Sequence, residues 1–253
     1  MMTREMRESI VQVLEFYREL GFERLPLNIR NAVPVTRNEL KEEDSFNSSL
    51  ITCHSSPATC RTVRDKEAAL KELRQEIGDC QRCKLAKGRT NLVFGEGNSN
   101  ARMLFIGEGP GAEEDRQGRP FVGDAGQLLT RLIEKMGLKR ADVYIANIVK
   151  CRPPMNRDPQ DDEMSTCFPF LDRQIEIIAP QVIVALGKIS AYTLLGVEGP
   201  ISKFSIMRTR GKFYEYKGIP LMPTFHPAYL LRNPKDKWLT WQDAQAVLRK
   251  IEE

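Results

Sequence analysis

Apolar positions along the chain follow two periods, and where each applies predicts the elements. Between residues 6 and 20, Met6, Ile10, Val13, Leu14, Tyr17 and Leu20 fall on one helical stripe, and Gly21 follows as a C-cap. The spacing predicts an N-terminal amphipathic helix within residues 1–25. From residue 26 to 64 the period fails and Asn, Ser, Thr, Pro and charged residues take over, which reads as a flexible linker. A second helix is expected from Asp65 to Ile77. Beyond it strands and helices alternate: strand Met103 to Ile106, helix Gly126 to Met136 closed by Gly137, strand Val143 to Val149, helix Asp162 to Ile178, strand Val182 to Leu186 and helix Lys188 to Leu195. A hairpin then runs from Lys212 to Tyr216 and from Ile219 to Phe225, turning at Lys217-Gly218, and a helix from Asp236 to Ile251 ends the chain. Strands alternating with helices imply a mostly parallel sheet covered on both faces, with ligands held at the carboxyl ends of its strands. The folded domain is expected to span 65–253.

Composition narrows the chemistry. The chain has 253 residues, 41% of them apolar and 28% charged, and no apolar run approaches the roughly 18 residues of a membrane span. The N-terminus mixes acidic and basic residues and has no signal-peptide pattern, so a reducing cytoplasm is expected, where cysteines serve as metal ligands or catalysts. Two histidines exclude mechanisms that need several imidazoles, leaving six cysteines to explain. The net charge of +4 is uneven: the first 65 residues carry 9 Lys or Arg against 10 Asp or Glu, so the basic surplus lies in the folded part.

Four motifs carry the chemistry. Cys80-x2-Cys83 is followed by Cys151 after 67 residues and by Cys167 after 15 more. Such a pair puts two thiolates on one arc and the later cysteines complete four ligands, for zinc or for an iron–sulfur cluster; the plainer reading buries Cys151 and Cys167 as apolar residues. Cys53 and Cys60, flanking His54 in the linker, read as unstructured thiols. After the first long strand comes Gly107-Glu-Gly-Pro-Gly111 with Glu113, Glu114 and Asp115, then Gly118-Arg-Pro-Phe-Val-Gly123. The glycines let backbone approach a ligand, but the carboxylates argue against a phosphate, and the spacing fits neither a dinucleotide loop nor a P-loop. Asn147 puts an amide at the end of an apolar strand, where either a ligand or neighbouring backbone must satisfy it. Thr224-Phe-His-Pro-Ala-Tyr-Leu-Leu-Arg places His226 at another strand end, before an apolar loop and Arg232. Lys203, Arg208, Arg210, Lys212, Lys217 and Arg232 are opposed in that stretch only by Glu215. Apolar tips beside basic residues suit a protein that wedges open a base stack while holding phosphates.

The segment from Cys80 to Pro234 resembles the family 4 uracil-DNA glycosylases of bacteria and archaea. Five separated motifs carry the resemblance: the four cysteines, GEGPGAEED, GRPFVG, NIVKCRPP with Asn156 and Arg157 following, and FHPAYLLR. The resemblance implies a three-layer α/β/α sandwich with a structural [4Fe-4S] cluster on Cys80, Cys83, Cys151 and Cys167. It implies hydrolysis of the N-glycosidic bond of deoxyuridine in single- or double-stranded DNA. On that reading Phe121 stacks on the flipped uracil, Asn147 reads its amide edge and His226 bonds its O2. Glu108 and Gly109 line sugar and base, and Glu114 crowds the C5 position. Leu230 is the expected wedge, with Tyr229, Arg232 and Arg210 against DNA. A sister family has an aspartate where this chain has Gly109, so the positioning of water falls to Glu108, or cleavage is substrate-assisted or purely electrostatic. A monomer is expected in the cytoplasm at the nucleoid, with the N-terminal helix available to a repair or replication partner. The rival is a relative that traps uracil-DNA covalently through a histidine, but residues 200–218 contain none.

Overall fold

The computed structural model describes residues 63–252, so the expected N-terminal helix and all but the last two positions of the expected linker lie outside the described residues. The elements in chain order are α1 (Val63–Ile77), β1 (Glu96–Gly97), β2 (Met103–Gly107), α2 (Ala112–Gln117), α3 (Asp124–Lys135), β3 (Tyr144–Asn147), α4 (Asp161–Ile178), β4 (Val182–Leu186) and α5 (Lys188–Leu194). Then follow α6 (Ile206–Thr209), β5 (Tyr214–Tyr216), β6 (Ile219–Thr224), α7 (Pro227–Arg232) and α8 (Lys237–Glu252). One six-stranded sheet runs in the order β1-β3-β2-β4-β6-β5. Its four inner strands are parallel, and only β1 and β5 at the edges run against their neighbours.

The strand alternation explains the layers. In β2, Leu104 and Ile106 face a core built with Leu70 and Leu73 of α1, Leu171 and Ile175 of α4 and Ile189 of α5. Met103 and Phe105 point the other way, onto Leu129 and Ile133 of α3 and Val247 of α8. In β4, Ile183 and Ala185 join the first core while Val182, Val184 and Leu186 join the second. Every residue of β2 and of β4 is buried, as a parallel strand covered on both sides requires. The result is the expected α/β/α sandwich.

Four short elements escaped the sequence pattern, among them the one-turn helix α6. Helix α2 occupies what reads as a glycine-rich loop, and Glu114 stabilises its start by accepting from the Gly111 N–H at 3.1 Å. Edge strand β1 is two residues long. Helix α7 occupies the expected apolar loop: Pro227 sits at its first position, and the His226 ring caps it.

Leu129 is fully buried between α3 and the sheet. Leu129→Ala should therefore lower unfolding free energy by about 3 kcal/mol, moving the urea midpoint without changing the slope. A midpoint within error of the native value would contradict this packing.

Candidate active site at the ends of the parallel strands

The loops leaving β2, β3, β4 and β6 surround a cleft of about 480 Å³ lined by Glu108, Gly109, Glu114, Phe121, Asn147, Asn156, Arg157, Asp158, Phe225, His226, Tyr229 and Arg232, among others. Glycines bring its walls this close. A Cβ on Gly107 would stand 2.5 Å from Asn147 Oδ1 and from the tip of the Phe121 ring, so this strand end has room for both only without a side chain. A Cβ on Gly126 would overlap the Phe121 carbonyl, at 1.9 Å. Phe121 itself has φ of +51°, a left-handed conformation that a bulky residue adopts only when its surroundings enforce it. Glu114 supplies part of that enforcement: its Oε1 accepts from the Val122 and Gly123 N–H groups, both at 2.9 Å. The carboxylate thus clamps the two glycine-rich segments together at the cleft wall.

Asn147 is 1% exposed, and neither its Nδ2 nor its Oδ1 has a hydrogen-bond partner. Among the described residues the one other such atom is the Thr240 hydroxyl. An unpaired buried amide costs the desolvation of donor and acceptor together, so its two atoms, facing a cleft, are set for a ligand bearing the reciprocal pair. The main chain holds it there. Gly107 pairs with Asn147 in the sheet, and the buried Lys150 ammonium donates to the Asn147 carbonyl at 2.9 Å and to Gln174 Oε1 at 2.6 Å.

His226 Nδ1 accepts from the Ala228 N–H at 3.1 Å. With that nitrogen an acceptor, the neutral ring carries its proton on Nε2 as a free donor. Burial pushes its pKa down to about 4; the Arg232 charge adds to this and the Glu114 carboxylate opposes it. The ring lies 5.5 Å from that of Phe121, tilted by 34°. Of the cleft carboxyls, Glu108 is displaced from its ordinary range. Burial, with Asp158 adding, pushes it up to about 7.

The structure corrects two sequence expectations and adds a missed wall. Leu230 is not at an exposed tip: it is 4% exposed and packs with Leu128 and Phe225. The exposed residue is Leu231, at 41%. Adjacent residues on a helix point about 100° apart, and the loop reading hid that difference. Arg210 is not free for phosphates either, since Nε donates to buried Asp243 at 2.9 Å and the guanidinium lies 5.5 Å from the Phe225 ring centroid. Asp243 in turn accepts from the Thr224 hydroxyl at 2.6 Å, so the pair braces the strand end that carries His226. Lys217 likewise pairs with Asp172 and Glu176. Tyr229 stacks on Phe225 and donates its hydroxyl to Asp236 at 2.7 Å, keeping a ring edge on the cleft, which Arg232 also lines. Gly109 stands where a Cβ would meet Val149 at 2.7 Å. The wall formed by Asn156, Arg157 and Asp158 was visible only as part of a motif.

Cys80, Cys83, Cys151 and Cys167 line one small, mostly apolar cavity away from the cleft. Donors surround their sulfurs: Arg82 to Cys80, Arg89 to Cys151 and the Lys150 N–H to Cys167, each at 3.3 Å. Such donors suit thiolates carrying charge. Among the described residues no three His, Cys, Asp or Glu side chains close on a single ion position. Cys53 and Cys60 lie outside the described residues.

Known proteins place this arrangement. The model of the uracil DNA glycosylase superfamily matches residues 94–247. A type-4 uracil-DNA glycosylase of Sulfurisphaera tokodaii is 46% identical over 184 residues, 71% of this chain and 83% of the relative. Those of Saccharolobus solfataricus and Thermotoga maritima are each 50% identical, over 68% of this chain and 82% of the relative and over 66% and 86% respectively. The chain therefore belongs to the uracil-DNA glycosylase superfamily and, within it, to the type-4 group.

Proposed function

We propose that the cleft receives a uracil flipped out of DNA and that the chain hydrolyses its N-glycosidic bond, releasing uracil and leaving an abasic site. The observation that carries this reading is the bare Asn147 amide. Its Oδ1 accepts from uracil N3–H and its Nδ2 donates to O4. Cytosine offers an acceptor and a donor at those places, and with the amide in this orientation would leave both of its atoms unpaired, which is how a polar site rejects a near-isostere. Phe121 gives the base a stacking face, and the clamped Glu114 stands at the wall toward C5, where thymine carries a methyl group.

Cleavage turns the sugar toward an oxocarbenium ion and the base toward a uracil anion, so a donor aimed at the developing charge lowers the barrier. His226 is suited to this: it is neutral, its Nε2–H is available, and the Ala228 N–H fixes its orientation. A ring that stays neutral to about pH 4 is a hydrogen-bond donor and a poor source of a full proton. Gly109 brings no carboxylate, leaving Glu108 to hold the attacking water. Once the base has left the stack, Leu231 fills the gap in place of the buried Leu230, with Arg232 and Tyr229 beside it against the strand. A covalent trap finds no support, because His226 is the one histidine among the described residues and its Nδ1 is engaged.

The four cysteines fit an iron–sulfur cluster. Their sulfurs ring a cavity, each free to take one iron, and three of the four receive donors. Bound there, a [4Fe-4S] cluster supplies structural cross-linking, tying the Cys80-Cys83 turn to the exit of β3 and to α4. Cys151 and Cys167 bracket the segment that carries the Asn156 to Asp158 wall.

Three results are expected. Asn147→Ala and His226→Ala each reduce turnover on uracil-containing DNA by about 100-fold or more with little change in DNA affinity, because they touch base and not phosphate. Asn147→Ala melts at or above the native temperature, since its amide has no partner to lose; matched losses of affinity and turnover would count against the assignment. Glu108 is protonated below about pH 7 and ionised above it, so turnover falls as pH drops through that value, while Glu108→Gln shows a lower rate without that limb. A limb surviving in Glu108→Gln would remove Glu108 from the water site. The purified protein is brown and yields iron and sulfide in about equal amounts, whereas a colourless preparation containing zinc would overturn the cluster.

A further inference from the structure

The cleft has a second exposed apolar tip that the reading above does not use. Met155 is 93% exposed, the highest value among the exposed large apolar residues described, and lies in the turn between Cys151 and α4. Its φ is +56° and that of Asn156 is +54°. Asparagine tolerates the left-handed region, but methionine does not favour it, and a side chain exposed to this degree gains no packing to offset the conformation. The turn around it is nonetheless firmly held. Arg152 Nε donates to Asn156 Oδ1 at 2.8 Å, and Arg157 makes two hydrogen bonds, at 2.8 and 2.6 Å, to the buried Glu163 carboxylate. Exposure of one apolar side chain is ordinary on a protein surface, but left-handed strain held in place by such bracing points to a function for the turn.

Topology shows where that partner passes. Met155 follows β3 and Leu231 follows β6, and β2 and β4 lie between those strands. Residues adjoining both tips, Asn156 on one side and Arg232 on the other, line the cleft. Three inter-strand spacings put the ends of β3 and β6, from which the two loops leave, about 14 Å apart across the sheet. We infer that Met155 is a DNA-contact residue: it packs against a base of the damaged strand a few nucleotides from the flipped one, on the side opposite Leu231. The strand is then held by apolar contacts on both sides of the cleft while Arg152 and Arg157 stay tied to the turn. This rests on the cleft's taking a flipped nucleotide from DNA.

The test uses single-stranded oligonucleotides with one uracil, shortened one nucleotide at a time from either end. With the native protein, KM rises about tenfold at the single truncation that removes the base under Met155, the step expected for losing one buried apolar contact. Met155→Ala shows the raised KM with the full-length substrate and no step at that truncation, and Met155→Leu restores both. Met155→Gly, which relieves the left-handed strain, melts no lower than the native protein yet has the raised KM. That combination separates contact with DNA from support of the fold. A native KM and an unchanged step in Met155→Ala would overturn the inference, as would a fall in melting temperature and kcat together in Met155→Gly. Were the native protein to release no uracil from any substrate, the reading of the cleft itself would fall, a result visible before any variant is compared.

Discussion

Burying an amide without a partner is among the costlier things a folded chain does, and this one does so at the centre of its cleft. Asn147 sits at the end of β3 with donor and acceptor both bare. The arrangement persists because the main chain of the same residue is held by the sheet on one side and by Lys150 beneath it. A ligand that satisfies both atoms recovers what the free protein forgoes, and one of the reversed pattern does not. On the proposed reading of the cleft, selectivity between two pyrimidines follows from this single unmet requirement.

The rest of the site keeps that amide and its neighbours from moving. Gly107 and Gly126 let Phe121 come against the strand ends at distances no side chain would permit. Glu114 then locks the Phe121 segment through three backbone N–H groups. On the other side, half-buried Arg210 with buried Asp243 and Thr224 fixes the strand end before His226. Each element acts through geometry already in place before a substrate arrives, which is the condition for electrostatic stabilisation of developing charge. The cysteines extend the same logic to the wall after β3.

The sheet was legible because β2 and β4 are apolar on both faces and flanked by helical stripes, a pattern only a covered parallel sheet explains. The cleft was legible through motif residues at strand ends. What the sequence concealed was long-range or too short to show a period. Arg210 looked like a phosphate contact because its partner, Asp243, is 33 positions away. Leu230 looked like a wedge because a six-residue helix gives no stripe to separate it from Leu231. Glu114 showed its charge but not its three backbone partners. Lys150 appeared as one more basic residue, while the fold buries it under the amide it supports.

The proposed recognition depends on the Asn147 side chain meeting the base. The most direct measurement is the side-chain amide resonance of Asn147 in isotope-labelled protein, assigned by its loss in Asn147→Ala, during titration with free uracil and, separately, with cytosine. A large shift that saturates with uracil and stays absent with cytosine is predicted. An amide resonance that ignores uracil while the base still binds, or one that responds equally to both bases, would contradict the central claim.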